Sequence, residues 1–358
     1  MLPVPEDEKY MSRCLALAKL GSGNVAPNPM VGAVLVHGEK IIGEGYHQQY
    51  GQAHAEVNCI NSVSSENKLL IPRSTLYVSL EPCVHFGKTP PCADFIIQHE
   101  IPKVVIGCLD VYEQVNGKGQ QKLQNAGVQV VTGVLAKECS DINRRFFSFH
   151  LKKRPYIILK WAESMNGKVA AKDQSRILIS NEFTNRLVHK WRNEETAIMV
   201  GTNTALHDDP SLTNRYWGRK DPVRVIIDKD LRLPSSLKIF NKEVRTIIFN
   251  EQMDAEEGSL RYIKTEDVMG LQNIMRELFL LNIQSVLVEG GATLLQSFID
   301  DNLWDEARVI KNESLTIENG IDAPGLSNNT MEHKDQDTGD VITFYRYSGR
   351  PSTVHSPR

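Results

Sequence analysis

The sequence predicts an α/β protein built of two domains, and three observations carry that prediction. At 358 residues the chain exceeds what one core organises, since single cores stop growing at about 250–300 residues. Apolar residues recur with period 2 and then with period 3.6, in alternation, along both halves, the pattern of strands interleaved with helices in a layered sandwich. Near the middle, "RRFFSFHLKKRP" ends at Pro155 and a second strand–helix alternation begins. The expected division is a first domain over 1–148, a second over 149–350, and a disordered tail over 351–358, where "PSTVHSPR" has almost nothing apolar to bury.

Each element has a local reason. "EDEKYMSRCLALAKL" sets apolar residues at helical spacing behind three acids, which suit a helix N-terminus. "MVGAVLV" and "KIIGEGY" read as strands joined by a turn at His37–Gly38. A helix over 53–62, the strand "STLYVSLE", a helix from about Cys92 to His99, the strand "KVVIGCL", a helix over 118–126 and the strand "VQVVTGV" follow. In "RRFFSFHLKKRP" the cations interleaved with aromatics can form a nucleic-acid patch. The competing reading turns Phe146, Phe147 and Phe149 into a core and leaves the cations solvated. The second half reads as the strand "YIILKWA", the helix "NEFTNRLVHKWRNEE", the strands "TAIMVG", "VRVIID" and "VRTIIF", a helix near 269–281, the strand "QSVLVE", the helix "GATLLQSFID" and the strands "ARVIKN" and "VITFYRY".

Composition narrows the class. Hydrophobic content of 41% and charged content of 24% are those of an ordinary globular protein. A net charge of −3 argues against a protein that coats nucleic acid. No apolar run approaches the ~20 residues of a membrane span, and the opening "MLPVPEDEKYMSR" carries acids where a signal peptide carries a basic and then an apolar segment. The expectation is therefore a cytoplasmic protein without a membrane partner. Six cysteines in that setting read as thiols or metal ligands.

One cluster carries chemistry. His54 and Glu56 stand in "HAEVNC", and downstream "SLEPCVHFGKTPPC" supplies Cys83 and Cys92, each preceded by a proline. One imidazole and two thiolates suffice for a catalytic zinc, leaving the fourth tetrahedral position for water. Glu56, two residues from His54, points to another side of a helix and is free to act as an acid/base beside the metal. Nucleobase deaminases divide the work in this way, with H-x-E followed by P-C-x-x-C. Here the second spacing is wider. The alternative is a closed Cys₂His₂ staple with His85 as fourth ligand. Cys14, Cys59, Cys108 and Cys139 fall in apolar patterns and read as small buried residues.

In the second half "SVLVEGGATLLQSF" is a strand, two glycines and a helix, an arrangement that admits a phosphate or serves as a plain connection. "MVGTNTALHDDPSLTNR" gathers hydroxyls, carboxylates and Arg215 in what reads as one long loop after a strand, suited to a sugar phosphate. No G-x-G-x-x-G occurs, so a Rossmann assignment has no support.

Together, "APNPMVGAVLV", "GEGYHQQYGQAHAE" and "VSLEPCVHFGKTPPC" resemble the deaminase half of the bifunctional riboflavin biosynthesis deaminase–reductase family. "LKWAESMNGKVA", the charged loop and "VEGGATLL" resemble its reductase half, so the likeness covers about residues 5 to 325. It implies a cytidine-deaminase-like three-layer α/β/α domain followed by a dihydrofolate-reductase-like α/β domain, with one zinc per chain and NADPH. It implies His54, Cys83 and Cys92 as zinc ligands, Glu56 as proton shuttle, and Asn28, His47 and Lys88 on the phosphorylated pyrimidine substrate. In the reductase half it implies Lys160 and Glu289 as catalytic, with Ser175, Arg192, Leu212, Arg215 and Glu289 on the substrate. NADPH would meet Ala162, Leu178, Thr204, Asp208 and the turn Gly291, Ala292, Thr293, Leu294, Leu295, Gln296 and Ser297.

The chain departs from the family pattern at "DVYEQVNGKG", where D-P-N-P is usual, at Asn166 in "SMNG", where an acid is usual, and at Leu178, where an aromatic is usual. The implied reaction is hydrolytic deamination of 2,5-diamino-6-ribosylamino-4(3H)-pyrimidinone 5′-phosphate, then NADPH reduction of the ribosyl group to ribityl. The implied assembly is a homo-oligomer, dimer or tetramer, without a nucleic-acid partner. Two rivals are a tRNA or nucleotide deaminase with an unrelated second domain, and a non-catalytic zinc-stapled RNA-binding protein.

Overall fold

The structure, a computed structural model, describes residues 5–86, 90–112, 115–173, 175–218, 221–268 and 270–349. The chain divides into two compact units, Met1–Lys153 and Arg154–Arg358. The tail expected over 351–358 lies outside the described residues.

The first unit runs α1 (Pro5–Ala18), β1 (Gly32–His37), β2 (Lys40–Tyr46), α2 (Ala55–Asn61), β3 (Thr75–Leu80), α3 (Cys92–Gln98), β4 (Lys103–Cys108), α4 (Lys118–Asn125), β5 (Gln129–Thr132), α5 (Ala136–Ile142) and α6 (Arg144–Lys152). Among the described residues its sheet has five strands in the order β2-β1-β3-β4-β5. β1 is antiparallel to β2 and β3, whereas β3, β4 and β5 run parallel. The period of two decides which side chain faces which layer. Ala33, Leu35, Leu76, Val78, Val104 and Ile106 pack against α2, α3 and α4, while Val34, Val36, Tyr77, Val105 and Val131 pack against α1 and α5. Both faces are covered, which gives the expected three layers.

Phe146, Phe147 and Phe149 are buried in α6, and the first two pack with Leu80. Burying each ring contributes roughly 1.5–3 kcal/mol, which favours the core reading of "RRFFSFHLKKRP" over the aromatic nucleic-acid patch. The expected boundary after residue 148 therefore moves. It falls inside α6, whose phenylalanines belong to the first unit's core, and the units divide after Lys153.

The second unit runs β6 (Tyr156–Ser164), β7 (Lys168–Ala171), α7 (Glu182–Glu194), β8 (Ala197–Gly201), α8 (Thr202–Asp208), β9 (Val223–Ile227), β10 (Thr246–Asn250), β11 (Ala255–Glu257), β12 (Leu260–Lys264), α9 (Leu271–Leu280), β13 (Ser285–Gly290), α10 (Ala292–Asp300), β14 (Glu306–Asn312), β15 (Gly320–Asp322), β16 (Asn329–Asp335) and β17 (Val341–Tyr347). The sheet order is β11-β12-β10-β9-β8-β13-β6-β14-β17-β16, parallel from β12 to β14 and antiparallel at both edges. β7 and β15 form a separate pair. Leu159, Met199, Val225, Phe249 and Val288 face α9 and α10, while Ile158, Ile198, Val200, Ile226 and Leu287 face the side of α7 and α8. The chain returns to insert β13 between β6 and β8. In such open parallel sheets ligands bind outside the carboxyl ends of strands where the order reverses.

Candidate functional site

In the first unit, three donors converge from three segments. His54 is the N-cap of α2, Cys83 follows β3, and Cys92 opens α3. The ligand atoms of the three residues lie within 4.8 Å of one another, a candidate metal cluster among the described residues. His54 Nδ1 lies 3.6 Å from Cys83 Sγ and 3.3 Å from Cys92 Sγ. A tetrahedral zinc with bonds of about 2.3 Å to sulfur and about 2.0–2.1 Å to nitrogen separates such donors by about 3.6 Å, so the residues fit zinc. His85 stands outside the cluster, with its ring against Tyr112. That disposes of the closed Cys₂His₂ staple.

The two thiols behave as one acid. A hydrogen bond from Cys92 pulls Cys83 down to about 4, and the same bond pushes Cys92 well above a free thiol. A metal binds both as thiolates and displaces any proton they carry. Glu56 is buried, interacts with Cys83, His54 and Cys92, and has its carboxyl raised chiefly by burial.

A supporting frame surrounds the donors. His47 Nδ1 lies 3.1 Å from the carbonyl of Ala53, and its Nε2 lies 3.1 Å from Asn28 Nδ2. The carbonyl requires a proton on Nδ1, so Nε2 accepts from Asn28. Burial lowers the His47 pKa and keeps the ring neutral, edge-on to His54 at 5.1 Å. On the other side Glu81, which sequence reasoning missed, accepts four backbone N–H bonds, from Asp110 (3.2 Å), Gly117 (2.9 Å), Gly119 (2.8 Å) and Gln120 (3.1 Å). It ties the strand leading to Cys83 to the start of α4. A Cβ on Gly119 would stand 2.1 Å from the carbonyl of Pro82, which explains the glycine there. Lys88 lies outside the described residues. Cys14, Cys59 and Cys139 are buried and Cys108 half-buried, all as free thiols.

In the second unit, register assembles a charged trio. Val288 pairs with Leu159, so Glu289 and Lys160, the next residues, both point to the opposite face, where α7 brings Arg192. Arg192 donates to both oxygens of Glu289, Nε at 2.7 Å and Nη2 at 2.8 Å, and Lys160 Nζ lies 3.7 Å from Glu289. Burial pushes Glu289 upward, but the charges of Arg192 and then Lys160 override it and hold the carboxyl at about 2. Burial lowers the Lys160 ammonium against the pull of Glu289. Arg192 thus spends its fork on Glu289 and the carbonyl of Thr213, at 3.2 Å.

Beside the trio, β8 and β13 end together at Gly201 and Gly290, and α8 and α10 start there. A Cβ on Gly290 would lie 2.9 Å from Thr204 Cγ2, and one on Gly291 3.0 Å from Thr204 Oγ1. Only glycines admit that approach, and the first N–H groups of α10 have no acceptor within the helix. This cradle fits the pyrophosphate of a dinucleotide.

The remaining expected residues fall in diverse settings. Ala162 is half-buried in β6, and Ala292, Leu294, Gln296 and Ser297 are half-buried and Thr293 exposed in α10. Leu295 and Leu212 are buried in cores, so only their main chain can meet a ligand. Ser175, Leu178, Asp208 and Arg215 are exposed. The expected long loop at 202–215 opens as helix α8. Asn166 accepts from Ser164 Oγ at 2.7 Å and donates to the carbonyl of Ile317 at 2.9 Å. A carboxylate could not make the second bond, which accounts for the amide.

A deaminase-type zinc centre and a nucleotide-cradling α/β unit in one chain define a bifunctional zinc deaminase–reductase. The model of the cytidine and deoxycytidylate deaminase zinc-binding region matches residues 4–108, and that of the RibD C-terminal domain matches 155–312. The riboflavin biosynthesis protein RibD of Aquifex aeolicus is 39% identical over 95% of this chain and 99% of its own, and that of Escherichia coli K12 is 34% identical over 90% of each. The crystal structure of a diaminohydroxyphosphoribosylaminopyrimidine deaminase/5-amino-6-(5-phosphoribosylamino)uracil reductase from Thermotoga maritima superposes with a TM-score of 0.88 at 34% identity, covering 96% of this chain and 99% of the other. The chain belongs to the RibD family of riboflavin biosynthesis. It is a bifunctional enzyme whose deaminase half binds zinc and whose reductase half uses NADPH. The rival readings are not favoured.

Proposed function

We propose that the first unit deaminates 2,5-diamino-6-ribosylamino-4(3H)-pyrimidinone 5′-phosphate and that the second reduces the ribosyl group of the product to ribityl. The observation that carries this reading is the His54–Cys83–Cys92 cluster with Glu56 buried beside it. Zinc, when bound, supplies the Lewis acidity that activates a water for attack on the ring carbon bearing the amine. Glu56 takes the water's proton and delivers it to the departing ammonia, a role served by a carboxyl that burial has made more basic. Asn28 and His47 orient the pyrimidine, and the family resemblance assigns Lys88 to its phosphate.

In the second unit NADPH supplies the hydride. Lys160 donates a hydrogen bond to the ribosyl oxygen while Glu289 keeps it in place. Arg215 holds the phosphate, with Ser175, Arg192 and the main chain at Leu212 around the same ligand. Ala162, Leu178, Thr204, Asp208 and the Gly291–Ser297 turn receive the cofactor. Catalysis here is chiefly positioning.

Incubation with the diamino substrate and NADPH, read by mass, tests both steps: exchange of NH for O, then gain of two hydrogens. Glu56→Gln is expected to retain zinc and lose at least about 100-fold in ammonia release; an unchanged rate sinks the proton-shuttle role. A cytoplasmic homo-oligomer, dimer or tetramer, is proposed on the family resemblance, and a monomeric mass by light scattering would overturn it.

A further inference from the structure

On α7, Arg186, His189 and Asn193 recur three and four residues apart and share one face. That face carries the segment 213–218. Trp217 Nε1 donates to the carbonyl of Arg186 at 2.8 Å, and Asn214 Nδ2 donates to Asn193 Oδ1 at 3.1 Å. Between them His189 is fully buried. Its Nδ1 accepts from the main-chain N–H of Arg215 at 3.2 Å, and its Nε2 lies 3.3 Å from Arg215 Nη2. The ring of Tyr216 closes over it edge-on at 4.8 Å.

We propose that His189 is the positioning residue of Arg215, a neutral imidazole that accepts from its main-chain N–H and so places its guanidinium for the substrate phosphate. The proposal rests on the reading of Arg215 given above. Burial, then the charges of Arg192 and Arg215, pull the His189 pKa down to about 4, against the weaker upward pull of Glu289 and the Thr213 carbonyl. Because Nδ1 accepts from the main-chain N–H of Arg215, the neutral ring carries its proton on Nε2 and holds Arg215 through its main chain. A protonated ring would accept at neither end and would repel both arginines.

The two arginines differ in what remains available. Arg192 is bound to Glu289, whereas no carboxylate pairs with Arg215 among the described residues. An exposed arginine otherwise samples many rotamers, and restricting them before binding removes part of the entropy cost of association.

The test uses NADPH oxidation with the deaminated ribosylamino substrate, with and without its 5′-phosphate. His189→Phe is expected to raise KM for the phosphorylated substrate up to about tenfold, the loss of about one hydrogen bond. It should change kcat less than about threefold and leave KM for the dephosphorylated substrate in place. In an Arg215→Ala background it should add nothing. His189→Asn and His189→Gln, each restoring a polar group at one end of the ring, should recover part of the loss. Equal KM shifts with both substrates, or an effect that adds in full to that of Arg215→Ala, would reduce His189 to a packing residue. An Arg215→Ala variant with unchanged phosphate preference would sink the phosphate reading itself, a different result from a silent His189→Phe in an Arg215-dependent enzyme. If His189→Phe fails to fold, His189→Leu carries the same comparison.

Discussion

Replacing Glu289 by glutamine gives the sharpest test of the reductase unit's electrostatics. The carboxylate is buried, doubly bonded to Arg192, and 3.7 Å from Lys160. Its pKa of about 2, against an ordinary value of 4.5, means that it contributes stability above pH 4.5 and loses that contribution as pH falls toward 2. The difference converts to roughly 3 kcal/mol. Glutamine keeps the shape but leaves two buried cations without a counter-charge, and breaking a buried pair from one side costs about 3–5 kcal/mol. The two figures agree in size. The assay is urea unfolding followed by tryptophan fluorescence. All four tryptophans, Trp161, Trp191, Trp217 and Trp304, lie in the second unit, so the signal reports on that unit alone in a chain that need not unfold in one step. With a slope of about 2 kcal/mol per molar urea, the midpoint at pH 7 should drop by about 1.5 M. Below pH 4.5 the wild-type and variant curves should converge. A loss under about 1 kcal/mol at pH 7, or a gap that persists undiminished near pH 3, would refute the pairing energetics.

The remaining predictions concern the zinc donors and the cofactor cradle. Cys83→Ser removes one of the three donors of the candidate cluster, so zinc content should fall well below one per chain by elemental analysis. Deamination should vanish while NADPH oxidation on deaminated substrate continues, and retained zinc would contradict the ligand assignment. Gly290→Ala puts a methyl 2.9 Å from Thr204 Cγ2, so KM for NADPH should rise more than about fivefold, with recovery in a Gly290→Ala/Thr204→Ser double variant. An unchanged KM would place the cofactor elsewhere.

Much of the fold was legible because core contacts follow period. Val34 and Leu35 face opposite layers, as do Ile157 and Ile158, and strictly alternating packing leaves that trace in the sequence. Elements without an apolar stripe left none. β16, "NTMEHKD", is largely exposed and exists because β17 pairs with it along one edge. Helix α8 was hidden because "TNTALHD" reads as polar loop, and only Ala205 is buried. The candidate metal cluster was legible because His and Cys are ligand types, and each of the three sits beside a proline or a helix start. Glu81 was not, because it binds main-chain N–H groups, which leave no mark in residue type.

The reductase site shows where a single sequence stops ranking residues. Arg192 and Arg215 carry the same group, and the family resemblance assigns both to the substrate. Strand register gives them different settings. Because Val288 pairs with Leu159, Glu289 emerges where α7 presents Arg192, and that guanidinium is taken. Arg215, on a segment laid over His189, keeps most of its donors open. A histidine on the buried side of an amphipathic helix looks in sequence like any core residue, since its effect depends on a segment 26 residues away. What separates the two arginines here is the partner each has already found.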